Sequence, residues 1–296
     1  MNAQHFKQLL KNGAYRTLGE ATTALGVDGH DRRALRVLMY HKVNDIPDNP
    51  TTVPVALFDE QMAHLRELGY TVVGLDDVLA FYREGTSLPP GATLITFDDG
   101  YRDVLENALP VLQKHGYPAV LFVPIAYMQD NTPLPHERLL AARGIKNPTV
   151  GWKELHELDR GGVRIESHGI AHKPLAEIEL DEAVREITIS KLRLEDKLGR
   201  DVRSFAYVKG SEAHFRPVHE SILKQAGYEI GFTSISRSNG VETNPFRLGR
   251  YNVEPYPSRT FELVLAGACD LISLKDTVAG THARRLFNQA LGTATR

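Results

Sequence analysis

The stretch Ala92-Thr93-Leu94-Ile95-Thr96-Phe97-Asp98-Asp99-Gly100 decides how this chain is read. Ala92 to Phe97 is a short apolar run of the kind that forms a buried strand. It ends abruptly in two carboxylates. Successive strand residues point to opposite sides, so both aspartates share one pocket only if the backbone turns there, and Gly100 permits that turn. In parallel α/β domains the carboxyl ends of the strands carry the ligand site. An Asx turn leading into a helix N-cap accounts for the pair as well, if the pair is taken alone.

Strand and helix signals alternate on both sides of this segment. Strands are expected at Val37–Tyr40, Thr71–Val73, Ala119–Val123, Val163–Glu166, Ser204–Val208, Tyr228–Phe232 and Leu248–Val253. Helical spacing of apolar residues is expected over Phe58–Leu68, Leu75–Tyr82, Val104–Lys114, Trp152–Leu158, Asp181–Leu198, His219–Ala226 and from Phe261 to Ala266. The long Asp181–Leu198 helix turns an apolar face of Val184, Ile187, Leu194 and Leu198. With about eight strands, mostly separated by helices, the pattern implies a parallel α/β sheet closed or nearly closed into a barrel. Asp130 to Val150 has three prolines and little periodicity, and reads as an insertion or lid loop. The domain division expected is an N-terminal helical appendage over 1–34, with Phe6, Leu9, Leu10, Leu18 and Leu25 on one face, and a single barrel domain over 35–296.

Composition narrows the function. The 296 residues are 42% hydrophobic and 24% charged, which excludes a disordered chain, a collagen and a coiled coil. A net charge of -2 gives no global field for nucleic acid or an anionic membrane. The single cysteine, Cys269, excludes an internal disulfide and a cysteine metal cluster. The N-terminus lacks the apolar core of a secretory signal, and no run of about 18 apolar residues is present to span a bilayer. The expected location is the cytoplasm, with membrane association left open.

His168 and His172, in Glu166-Ser167-His168-Gly169-Ile170-Ala171-His172, follow another strand. A spacing of four brings two imidazoles to one side, and neutral imidazole is the commonest metal ligand. With 12 histidines in the chain such a pair arises easily, so position is what raises it. Two histidines and one aspartate make three ligands and leave a coordination position open, the layout of a catalytic metal.

Together these motifs resemble the polysaccharide deacetylase family, in which a Thr-Phe-Asp-Asp-Gly motif precedes a His-Ser/Thr-x-x-x-His type motif after a later strand. The likeness runs from about Leu35 to Asp270, including Lys173-Pro174-Leu175 and Phe205-Ala206-Tyr207. It implies a distorted (β/α)7-type barrel in which Asp99, His168 and His172 hold the metal and Asp98 is the general base. Leu38-Met39-Tyr40-His41 resembles the opening strand of the circularly permuted poly-N-acetylglucosamine deacetylases, and gives His41 the general-acid role. The family's third motif departs here. Ala206 stands where many members have a base-orienting arginine, and Val208 where the related branch keeps a proline. Arg250 is the candidate to supply the guanidinium from another strand. Tyr207 and Lys209, the latter through its main-chain N–H, are candidates for the oxyanion and substrate site.

The resemblance implies a bacterial metal-dependent carbohydrate N-deacetylase in exopolysaccharide or O-antigen biosynthesis. Its substrate would be an amino-sugar saccharide or glycan precursor. A divalent ion would activate water toward the acetamide, with Asp98 as base and His41 as acid. Zinc is the expected ion, with nickel or cobalt compatible with the donor set. Two other readings stand beside it: another metal-dependent amide hydrolase (a deformylase or cyclic amidase), and a catalytically weak saccharide-binding module. The remaining histidines, His5, His30, His64, His115, His136, His156, His214, His219 and His282, read as surface or capping residues. His136 is set apart by its place in the insertion.

Overall fold

A computed structural model describes residues 3–25, 31–49, 51–128, 132–277 and 279–282, with the side chains of 3–10 and 275 excluded. The expected roles of His30 and of the Phe6, Leu9, Leu10 and His5 side chains lie outside the described residues, as do 130–131 of the insertion and 283–296 of the barrel domain. In chain order the elements are α1 (Ala3–Ala24), β1 (Arg36–Tyr40), β2 (Lys42–Val43), β3 (Thr52–Val53), α2 (Val55–Glu67), β4 (Thr71–Val72), α3 (Leu75–Glu84) and β5 (Ala92–Phe97). There follow α4 (Leu109–His115), β6 (Ala119–Val123), α5 (Arg138–Ala142), α6 (Trp152–Arg160), β7 (Val163–Ser167) and α7 (Leu180–Leu198). The last are β8 (Ser204–Ala206), α8 (Pro217–Gln225), β9 (Ile230–Phe232), β10 (Tyr251–Asn252) and α9 (Ser258–Leu265).

Among the described residues the main sheet has eight strands in the order β10-β1-β5-β6-β7-β8-β9, with β4 pairing the start of β5. Every pairing is parallel. The two ends of this path meet at a single parallel bridge, Phe232 to Leu248, just ahead of β10. The result is the expected distorted α/β barrel, with one seam reduced to a few hydrogen bonds: Leu248 N to Gly231 O at 2.9 Å and Arg250 N to Ile235 O at 3.0 Å.

Parallel strands covered on both faces must be apolar throughout, and β1, β5 and β6 are buried at every position. The helix-covered face carries Tyr40 and Phe97 packed ring to ring with Phe58 of α2, centroids 5.1 to 5.9 Å apart, while Val37, Leu94, Val120, Phe122 and Phe232 fill the other face. Helix α1 lies outside the barrel against α9: a Cβ on Gly19 would meet Leu263 Cβ at 2.9 Å, and Thr22 Oγ1 donates to Ala268 O at 2.5 Å. None of the described helices is long and apolar enough to cross a membrane.

Several expectations shift in detail. The helix expected from Val104 begins as a π-turn over Val104–Ala108 before α4. Pro110 has no N–H to give the Glu106 carbonyl and its ring crowds that position, so the first turn is irregular. β8 ends at Ala206 rather than Val208, because the chain leaves the sheet through Lys209 (φ 59°) and Gly210 (φ 56°). Val184 is 37% exposed and lies off the buried face of α7, which runs through Ala183, Glu186, Ile187, Ser190 and Leu194. Leu25 is 76% exposed, because α1 ends at Ala24. The insertion is more ordered than a lid loop: it holds α5, and it buries Leu134 and Glu137.

Candidate active site and metal centre

The site is built at the carboxyl ends of β1, β5, β7 and β8, with one residue arriving beside β10. Asp98 extends β5 by one residue, its N–H donating to Tyr40 O at 3.0 Å. Asp99 then takes φ 74° and Gly100 φ 68°. This left-handed step swings two successive side chains into one pocket. An aspartate in that region is strained, and such strain is kept where the surroundings enforce it. A Cβ on Gly100 would lie 2.9 Å from Met128 Cε and would have to be held at the same positive φ, which favours glycine at this turn.

Arg250 is fully buried and binds Asp98 with both arms, Nη1 to Oδ1 at 2.7 Å and Nη2 to Oδ2 at 2.8 Å. Its Nε donates to Thr233 O at 2.8 Å and Nη1 reaches Thr96 Oγ1 at 3.3 Å, so the guanidinium is fixed from three directions. Burial opposes the charge on Asp98, but Arg250, with His168 and His41, outweighs it and holds the carboxyl below its ordinary range. The bidentate grip uses one lone pair of each carboxylate oxygen and leaves the others available.

On the other side of the pair, the ligand atoms of Asp99, His168 and His172 lie within 4.8 Å of one another. Asp99 Oδ1 is 2.9 Å from His172 Nε2 and 3.6 Å from His168 Nε2. It is buried, yet neither approach has hydrogen-bond geometry, so the oxygen is without a hydrogen-bond partner. Three donors that crowd together without bonding one another converge on a common point, which fits a bound cation. His168 Nδ1 lies 2.8 Å from Ala206 O, so that nitrogen carries the proton and Nε2 presents its lone pair to the same point. The carboxylates nearby outweigh burial and raise His168; burial also opposes the charge on Asp99, but His172, with His136 and His168, outweighs it and leaves Asp99 well below its ordinary range.

The loop between the two histidines is held by Glu186 of α7. Its carboxylate accepts from Ile170 N at 2.6 Å and Ala171 N at 3.0 Å. Gly169, at φ 81°, would place a Cβ 2.8 Å from that carboxylate, so only glycine fits. Ser167 Oγ reaches Ser190 Oγ at 2.8 Å and ties the same loop to the helix. The signal for Glu186 in the sequence is a carboxylate on the apolar side of a helix.

His41 lines the same cleft from the end of β1, and its Nδ1 is buried without a hydrogen-bond partner. Burial lowers its pKa, against the pull of Asp99 and Asp98. The cleft has a volume of about 610 Å³ and also touches Tyr207, Val208 and Lys209. Tyr207 is buried and stacks on Phe215 with centroids 4.4 Å apart, its hydroxyl without a partner. The Lys209 side chain turns to Glu177 at 3.2 Å.

His136 joins the cluster from the insertion, its Nε2 3.4 Å from Asp99 Oδ2 and its ring 5.1 Å from that of His172. The expected surface reading fails for His115 and His214, whose side chains are 6% and 7% exposed. His115 binds Asp59 at 2.7 Å and His214 binds Ser211 at 2.7 Å. Buried imidazole needs a partner, and both have one. His219 caps α8 through Nδ1, which accepts from Arg216 N at 3.1 Å.

Comparison with known proteins agrees with this geometry. Residues 86–231 match the family model described as polysaccharide deacetylase. That span holds Asp98, Asp99, His168 and His172, and leaves His41 and Arg250 outside it. The Bacillus subtilis protein YxkH, whose name assigns it to the polysaccharide deacetylases, is 26% identical over 224 residues, 75% of this chain and 72% of that protein. The poly-beta-1,6-N-acetyl-D-glucosamine N-deacetylase of Escherichia coli is 35% identical over 85 residues, 28% of this chain and 13% of that protein. Among solved structures, IcaB from Ammonifex degensii superposes with a TM-score of 0.67 at 23% identity, covering 80% of this chain and 97% of that one. The Streptococcus pyogenes deacetylase PplD, solved with acetate, also gives 0.67, at 20% identity over 78% of this chain and 96% of that one. The chain thus carries, over residues 86–231, a segment that matches the polysaccharide deacetylase family.

Proposed function

We propose that the protein is a metal-dependent N-deacetylase acting on N-acetylated amino sugars in a saccharide or glycan precursor. The observation that carries this reading is the pairing of two carboxylates with opposite surroundings. Asp99 faces two imidazoles with an unpartnered oxygen, and the adjacent Asp98 is gripped by a buried arginine.

Asp99, His168 and His172 are the residues that would hold the ion, with zinc the first choice and nickel or cobalt compatible. A divalent ion there would polarise a carbonyl and acidify a water molecule. Asp98 takes a proton from the attacking water, and Arg250 keeps it ionised and aimed. His41 gives a proton to the departing amine, which cannot leave as an amide anion. The main-chain N–H of Lys209, at the turn after β8, would stabilise oxyanion charge, with Tyr207 lining the cleft beside it.

The test is acetate release from N-acetylglucosamine oligomers by protein loaded with zinc, cobalt or nickel. Release that depends on the ion and on Asp98 is expected. Metal binding without acetate release, but with formate release or ring opening of a cyclic amide, would reassign the reaction to another amide hydrolase. Saccharide binding with no hydrolysis of any kind would leave a binding module.

A further inference from the structure

His136 stands in the site cluster and has no part in the reaction just described. Its Nε2 lies 2.8 Å from the Tyr101 hydroxyl and 3.4 Å from Asp99 Oδ2. Proton accounting on the hydroxyl gives the direction of these contacts. Tyr101 has one O–H proton. Glu137 Oε1 stands 3.0 Å from it as an acceptor, kept ionised by Lys42 Nζ at 2.8 Å. The hydroxyl therefore donates to Glu137 and accepts from His136, which puts a proton on His136 Nε2. A ring nitrogen that carries a proton has no lone pair for a metal. Nε2 also lies 3.4 Å from Asp99 Oδ2, so the proton it gives Tyr101 stands beside that oxygen as a second, longer contact, while Asp99 Oδ1 is the oxygen turned to His168 and His172.

We propose that His136 is a positioning residue of the metal centre: its N–H fixes Asp99 through Oδ2, so that Oδ1 stays aimed at the point where the two other ligands converge. This rests on the reading of Asp99, His168 and His172 as ligands. The insertion delivers the donor by tertiary contacts rather than by helix geometry. Lys42 binds both Asn49 Oδ1 and Glu137 Oε1 at 2.8 Å, and Asn147 donates to Glu137 and to Asn49. Lys42 follows His41 directly, so one buried network clamps the insertion to the end of β1 and sets His136 over Asp99. The insertion is thus a part of the metal centre's support.

The experiment uses the full chain, stripped with a chelator and titrated with Co²⁺, reading both affinity and the visible absorption band. His136→Ala is expected to lower cobalt affinity by about 10- to 100-fold, the usual cost of losing an outer partner of a ligand. Its metal-free melting temperature should be unchanged, because the ring is 42% exposed. His136→Gln, which returns an amide N–H to the same reach, is expected to restore most of the affinity. Wild-type affinity in His136→Ala overturns the proposal alone. A deficit that glutamine does not restore also overturns it, since it marks a direct ligand or a packing role. A wild-type chain that binds no cobalt overturns the ligand set and this proposal together.

Discussion

Arg250 holds both carboxylate oxygens of Asp98, at 2.7 and 2.8 Å, although the two residues are 152 positions apart in the chain. Both are buried, so this is an ion pair that water does not screen. Removing the cation leaves a buried carboxylate uncompensated. Arg250→Met is expected to lower unfolding stability by about 3–5 kcal/mol, measured by urea denaturation. The conservative Arg250→Lys, which keeps charge but loses the fork, should retain more stability and still lose turnover. Equal turnover in Arg250→Lys and wild type would end the claim that the fork aims Asp98.

Asp98 and its neighbour should separate cleanly by assay. Asp98→Asn is expected to keep metal and lose acetate release by a factor of about 10² or more. His168→Ala and His172→Ala should lose metal instead, read by elemental analysis after dialysis. Full metal content in either histidine variant would remove it from the ligand set.

His41 is tested by the opposite pattern. His41→Ala should bind metal like the wild type and slow amide hydrolysis by about 10²–10⁴-fold. An activated ester of the same acyl group has a good leaving group and should be far less affected. Equal losses on amide and ester would rule out a proton donor.

Asp103 gives a pH dependence away from the chemistry. Burial raises its pKa from an ordinary 3.8 to about 7. Its Oδ2 accepts from Val43 N at 3.2 Å, and its Oδ1 is buried without a partner, which suits a protonated carboxyl. Between those two values the unfolded chain releases this proton and the folded chain keeps it. Stability should therefore fall as pH rises from about 4 to 7 and level off above that. Asp103→Asn should flatten this slope and be more stable than wild type at pH 8, on the order of a few kcal/mol. Thermal melts of both proteins across that range decide it; parallel curves would refute the assignment.

Gly169 carries the spacing of the histidine loop. Gly169→Ala forces a side chain at φ 81° and toward Glu186 Oε2 at 2.8 Å. The expected result is a loss of roughly 1–3 kcal/mol in stability together with weaker metal binding, seen in parallel melting and cobalt titrations. Loss of stability with unchanged cobalt affinity would show that the loop does not set the ligand spacing.

Much of this was legible in the residues. The run to Phe97 ends in two aspartates, and the local pattern alone places both at a strand end. That Asp98 is the one to meet Arg250 follows from the family resemblance and not from local pattern, because the contact depends on β1 pairing with both β5 and β10, and strand order is a property of the whole sheet. His136 could be suspected from its place in the insertion and no more. Its position follows from the burial of Glu137, which depends on Lys42, 95 positions earlier. Val184 lies off the buried face of α7 because hydrophobicity alone does not define that face: the helix buries Glu186 and Ser190 to hold a loop.

The neighbours of β1 also set a schedule. Synthesis runs from the N-terminus, so β1 and β5 are made long before β10 and the arginine beside it. A chain arrested after Phe232 has both aspartates and both histidines of the cluster, but lacks the guanidinium that grips Asp98 and has only one flank for β1. Contacts this distant in sequence form late and slowly. The candidate pocket therefore stays incomplete in a partly made copy until residue 250 has joined the sheet.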